Sequence, residues 1–203
     1  MKKRVALFAT VLLCMGVLLM TGFSSQQAEK PQAATKEEAP EAMMMKLAQP
    51  GAHHERLKAM VGKWEMTGKS SMSPAIEPVS WGGLSEKKMI LGDRFLREEV
   101  HSEMMGQPFT GIGVVGYDNL LAKYVWIWMD DMSTGIMVSE GTCDDSGKIL
   151  TLSGEYMDPM EGTMKTARSV IRIISEDKHV FEMYNKGPDG KEFKSMEITY
   201  VRS

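Results

Sequence analysis

The chain has 203 residues, a formal net charge of −3, 43% hydrophobic residues and 25% charged residues. That balance excludes wholesale disorder, and the negative charge excludes a nucleic-acid binder driven by phosphate neutralisation. Two cysteines, Cys14 and Cys143, exclude a dense disulfide framework, and 20 methionines are the one unusual count.

Lys2, Lys3 and Arg4 make a basic start, residues 5–23 carry no charge, and Gly22, Ser24 and Ser25 are small. This layout predicts a secretory signal peptide over 1–25. The same apolar run is long enough for an uncleaved membrane anchor, so 5–23 is a candidate tether. Both readings export the protein, to the periplasm or the extracellular space. Cys14 follows Leu13 inside the apolar run, a context unsuited to lipid modification. Without the leader, Cys143 is the only thiol and reads as a small buried hydrophobe.

Residues 26–49 hold no aromatic and no β-branched apolar residue. They are read as a disordered linker, because too little surface is available to offset the entropy of ordering. A short helix over 43–47 would lack a partner. The folded domain is placed at 50–203. Pro50 suits the first turn of one short helix over 50–61, Leu57, Met60 and Val61 share a face, and Gly62 ends it.

From Lys63 the pattern is β: strands are predicted at 63–72, 79–90, 94–104, 109–117, 123–131, 135–143, 148–157, 165–174, 179–186 and 193–202. Turns are marked at Gly92-Asp93, Asp118-Asn119, Asp144-Asp145-Ser146-Gly147, Ser175-Glu176-Asp177-Lys178 and Gly187-Pro188-Asp189-Gly190. The short connections leave no room for parallel crossovers. The expected fold is all-β, an antiparallel up-and-down β-barrel of about ten strands with the short helix capping one end.

Gly62-Lys63-Trp64 opens the first strand and Arg202 ends the last. Closure makes these strands neighbours, so the guanidinium of Arg202 is expected across the indole of Trp64. A glycine-x-tryptophan at the first strand with a terminal arginine resembles the calycin superfamily of lipocalins and fatty-acid-binding proteins. That resemblance implies a structural role for Gly62, Trp64 and Arg202 at the barrel base. Further along stand Met89-Ile90-Leu91-Gly92-Asp93-Arg94-Phe95-Leu96, Met105-Gly106-Gln107-Pro108-Phe109-Thr110-Gly111, Gly116-Tyr117-Asp118-Asn119, Met132-Ser133-Thr134-Gly135 and Gly187-Pro188-Asp189-Gly190-Lys191-Glu192-Phe193. Together these resemble the bacterial family called domain of unknown function 1579 across nearly all of 50–203. The resemblance implies a calycin-like barrel and no established activity, substrate or catalytic residue.

The methionine clusters, with His53-His54 near the domain entrance, raise soft Cu(I) ligation as one reading. An adaptable apolar pocket is the stronger one, because the barrel methionines are spread evenly along the strands. His53, His54, His101 and His179 lack metal-ligand spacing and read as surface or capping residues. Mid-strand charges read as outward cross-strand pairs. Glu98 shares a face with Leu96 and Val100 and is a candidate inward group. Arg168 and Arg172 are candidates for a carboxylate head group or for a solvated salt bridge. Tyr124, Trp126 and Trp128 alternate with Val125, Ile127 and Met129, so both faces of that strand are apolar, and a homodimer through its outer face is one expectation. Gly111-Ile112-Gly113-Val114-Val115-Gly116 fits a dinucleotide fingerprint but lies inside a strand with no helix after it. No catalytic set, metal site or cofactor is predicted.

The first reading of function is an exported barrel binding a small apolar or amphipathic ligand. Its candidate contacts are Trp64, Met66, Tyr117, Trp128, Arg172, Tyr184 and Tyr200. The second is an envelope structural or interaction scaffold with a filled barrel. An enzyme ranks last, and an inward carboxylate beside a histidine is what would revive it.

Overall fold

The structure is a computed structural model, and it describes residues 39–158 and 161–203. The export segment at 1–25 and the first part of the linker lie outside the described residues.

Ten strands form one sheet that closes on itself: β1 (Gly62–Ser70), β2 (Val79–Ile90), β3 (Phe95–Met104), β4 (Gln107–Asp118), β5 (Lys123–Asp130), β6 (Met137–Cys143), β7 (Ile149–Asp158), β8 (Thr163–Ser175), β9 (Lys178–Lys186) and β10 (Glu192–Arg202). Every pairing is antiparallel between consecutive strands, and β1 pairs with β10 to complete the barrel. Closure leaves no unpaired edge, which is why short, evenly spaced strands suffice.

The turns form where side chains replace backbone partners. Asp118 accepts the backbone N–H groups of Leu120 and Leu121. Asp144 accepts those of Lys148 and Ile149, with Gly147 at a positive φ of 72°. Along β1 the burial alternates strictly, with Trp64 and Met66 inside and Lys63, Glu65 and Thr67 outside.

One end of the barrel, the base, is closed from the N-terminal side. The single helix expected over 50–61 is instead α2 (Ala52–Leu57) followed by a 3-10 turn (Lys58–Met60). The tighter turn delivers Leu57 and Met60 into the core, at 2% and 3% exposure. The disordered linker expected over 26–49 does not extend through its last residues, where α1 (Pro40–Ala48) forms with Pro40 in its first turn. α1 buries none of its residues. Its exit is tied to the base by the Asn119 amide, which donates to Leu47 O and Gln49 O at 2.8 and 2.9 Å. Arg94 Nε donates to Ala48 O at 3.0 Å.

At the base, Gly62, Trp64 and Arg202 lie together. Trp64 faces Arg202 in the β1–β10 register, and the guanidinium carbon lies 4.3 Å from the indole centroid. Arg202 also donates to Val61 O, Glu176 O and the Asp177 carboxylate, so one side chain joins β10, the 3-10 turn and the β8–β9 hairpin. Gly62 has φ 139°, and a Cβ there would lie 2.3 Å from Arg202 Nη1. Only glycine allows that backbone with the guanidinium against it.

Candidate functional site

The barrel encloses a cavity of about 350 Å³. Its upper wall carries Trp81, Trp128 and the thioethers of Met104, Met132, Met137, Met183 and Met196. The two indoles lie against the wall because their facing positions are glycines: a Cβ on Gly68 would meet Trp81 at 2.3 Å, and one on Gly111 would meet Trp128 at 2.3 Å. Asp130 stands among them at the end of β5, its carboxylate accepting from Trp128 Nε1 at 2.9 Å. Deeper in, Leu96, Val100, Val115, Phe181 and Ile198 keep the lining apolar.

Toward the base this lining gives way to a polar group. Lys87 and Glu98 are direct cross-strand partners on β2 and β3, with Nζ 3.2 Å from Oε1 and side-chain exposures of 5% and 14%. Ser85 Oγ donates to the same Glu98 oxygen at 2.7 Å. Lys87 Nζ is also 3.0 Å from His179 Nε2 and sits 4.0 Å above the centroid of the Tyr200 ring. His179 stacks on Tyr200 at 4.3 Å and meets the Trp64 ring edge-on at 4.3 Å. A continuous column therefore runs from Arg202 through Trp64 and His179 to Lys87 and Glu98.

The electrostatics follow from burial. Burial lowers the Lys87 pKa, and the nearby Glu98 works against that lowering. Burial also raises the Tyr200 hydroxyl well above its usual value, with the Glu98 carboxylate adding to the effect. Burial first, then the charges of Lys87 and Arg202, push His179 down to about 2. The imidazole is therefore neutral, and since lysine can only donate, Nε2 is the acceptor. Its Nδ1 has no partner among the described residues.

A histidine held neutral when folded and free to protonate when unfolded makes stability pH-dependent. Its contribution is intact above the ordinary value of 6.5 and is lost as pH falls from there toward 2. Urea unfolding at pH 5 is expected to show a loss of about 2 kcal/mol relative to pH 7.5 from this residue. His179→Phe should remove that share of the difference; an unchanged pH slope refutes the assignment.

Of the seven predicted contacts, Met66, Trp128 and Tyr200 line the cavity. The other four do not. Trp64 lies beneath it, 1% exposed, its indole N–H spent on Met60 O at 2.9 Å. Tyr117 packs at the base, stacked on His53 at 3.8 Å. Arg172 and Tyr184 point outward, because the alternating neighbours Ile171 and Met183 are the ones that line the cavity. Arg172 holds Glu182 at 3.0 Å on the outer face, and Arg168 lies 4.0 Å over the Tyr184 ring while pairing with Glu192. His179, expected at the surface, is 2% exposed. Cys143 is half-buried and free. Among the described residues no group of three or more His, Cys, Asp or Glu is placed to hold a metal ion. No described helix is long and apolar enough to cross a membrane.

Comparison with known proteins adds a fold neighbour and a family. The protein Rv2717c from M. tuberculosis superposes with a TM-score of 0.54 at 14% identity, over 76% of this chain and 99% of that one. A redesigned β-barrel aligns over 73% of this chain and 95% of its own, at 13% identity and a TM-score of 0.40. No curated protein sequence matches. The family of proteins of unknown function DUF1579 matches residues 49–202, from the end of the linker to Arg202, and the chain belongs to that family.

Proposed function

We propose that the protein is an exported, calycin-like binding module that holds a small amphipathic molecule inside its barrel. The observation that carries this reading is the cavity of about 350 Å³, apolar along its walls and polar at its base. That volume falls within the range of small-molecule sites, and a few convergent polar groups in an apolar pocket are the mark of one. The methionine lining supports the reading, since unbranched thioethers adapt to a ligand's shape. An envelope scaffold with a filled barrel would leave no such volume. The basic start and apolar run at 1–25 support export, with 5–23 as signal peptide or tether.

The neutral probe N-phenyl-1-naphthylamine tests this. It is expected to brighten on binding at one equivalent per chain, and Met183→Trp, which fills the cavity, should abolish the signal while the circular dichroism spectrum persists. Native mass spectrometry of the protein from its own host should show a bound small molecule. A protein that carries none and takes up no probe overturns the reading.

A further inference from the structure

Binding in the cavity leaves open what the polar base selects, and its geometry is one-sided. Among the described cavity residues Lys87 is the sole cationic side chain, against two carboxylates, Glu98 and Asp130. An ammonium has three N–H groups and no acceptor. Here one faces Glu98, one faces His179 Nε2, and the third side is covered by the Tyr200 ring. The ammonium has no donor left over for an incoming anion, and the two unpartnered N–H groups on cavity residues, Trp81 Nε1 and His179 Nδ1, are buried in the wall away from a guest. Arg168 and Arg172 on β8 and Lys194 on β10 lie on the outer face and are held there by Glu192, Glu182 and Glu197.

Acceptors, in contrast, are in surplus. A carboxylate offers about four lone-pair positions. Ser85 and Lys87 both use Oε1 of Glu98 and the Tyr200 hydroxyl is a third donor to the carboxylate, which leaves one lone-pair position, and Glu98 still faces the cavity with 14% of its side chain exposed. An uncharged guest that donates a hydrogen bond completes this group, whereas an ammonium guest would lie beside the Lys87 ammonium on the same carboxylate. A guest that can only accept, and is negative, meets Asp130 on the way in and Glu98 at the bottom. Loss of the Lys87 proton would make the interior more hostile to an anion, so the bias does not depend on the protonation state of that residue.

We propose that the ligand is uncharged and presents a hydrogen-bond donor, a hydroxyl or an amide N–H, to the Glu98 carboxylate, so that the barrel discriminates against fatty carboxylates. This rests on the cavity-binding reading and narrows it to a ligand class. The apolar remainder of the molecule lies among the methionines and against Trp81 and Trp128.

Matched ten-carbon probes decide the question on the full chain at pH 7.5, read by quenching of the cavity tryptophans. The probes are 1-decanol, decanamide, decanoate and decylammonium. The expected result is that 1-decanol and decanamide bind at least tenfold tighter than either charged probe. Decanoate binding as tightly as the alcohol overturns the proposal, and so does decylammonium binding more tightly than the alcohol. If none of the four binds, the cavity-binding reading itself falls, an outcome distinct from reversed selectivity. Glu98→Gln frees Lys87 for an anion and is expected to improve decanoate at least tenfold relative to 1-decanol. An unchanged preference in the folded variant removes Glu98 from the selection. If that variant does not fold, the wild-type series decides alone.

Discussion

Trp64→Ala is expected to cost about 5 kcal/mol of unfolding free energy, enough to threaten a domain of ordinary stability. Three losses combine. The side chain is 1% exposed, so its removal leaves a large cavity, and truncation of a buried tryptophan costs about 3–5 kcal/mol. The Met60 carbonyl loses its donor at 2.9 Å, which leaves the 3-10 turn with an unpaired buried acceptor. The guanidinium of Arg202 loses the ring 4.3 Å away, a contact worth on the order of 1 kcal/mol. Trp64→Phe keeps most of the packing and gives up the hydrogen bond, so it should cost about 1–2 kcal/mol. Urea unfolding followed by far-ultraviolet circular dichroism measures both. A loss below 2 kcal/mol for the alanine variant would remove Trp64 from its place as the closing residue.

The barrel was legible because its local signals agree. Asp118, and Asp144 with Gly147 after it, build turns from their own side chains and backbone, with no help from distant residues. Alternation along β1 and β10 then places Trp64 opposite Arg202 as soon as the sheet closes. The site was half legible for the same reason. Met66 and Tyr200 lie on clearly patterned strands, whereas Trp128 lies on a strand that is apolar on both faces. Lys87 was missed because both faces of β2 mix polar and apolar residues: Leu84 is 59% exposed, while Lys87, on the same face as Trp81 and Met89, is buried. The hairpin carried the missing signal, since folding the chain at Gly92-Asp93 sets Lys87 opposite Glu98. His179 follows a turn directly and so reads as a surface residue. Its burial comes from long-range closure, the Trp64 ring against it and Lys87 beside it, which no local pattern encodes. α1 was read as linker because it buries nothing; what ties its exit is a pair of hydrogen bonds from Asn119, 70 or more positions away.

The Lys87–Glu98 pair should behave as a single unit in a double-mutant cycle. Lys87→Met alone leaves a buried carboxylate with Ser85 and the Tyr200 hydroxyl as its remaining partners, and Glu98→Leu alone leaves a buried ammonium against a neutral imidazole. Removing one member of a buried ion pair costs about 3–5 kcal/mol, because the other charge stays desolvated without compensation. The double variant removes both charges and replaces them with apolar side chains of similar volume, at the smaller cost of leaving the neutral Ser85 hydroxyl and His179 Nε2 without these partners. It is expected to lie within about 1–2 kcal/mol of the wild type and to be more stable than either single variant. The coupling energy, at least 3 kcal/mol, would be large for two residues on neighbouring strands. Additive losses in urea unfolding would show that the two side chains do not depend on each other. Strong coupling with a stable double variant would mean that the pair adds little to the fold. Its physical role is then to hold an acceptor in place at the bottom of an apolar cavity, where a lone carboxylate would take up a proton rather than remain charged.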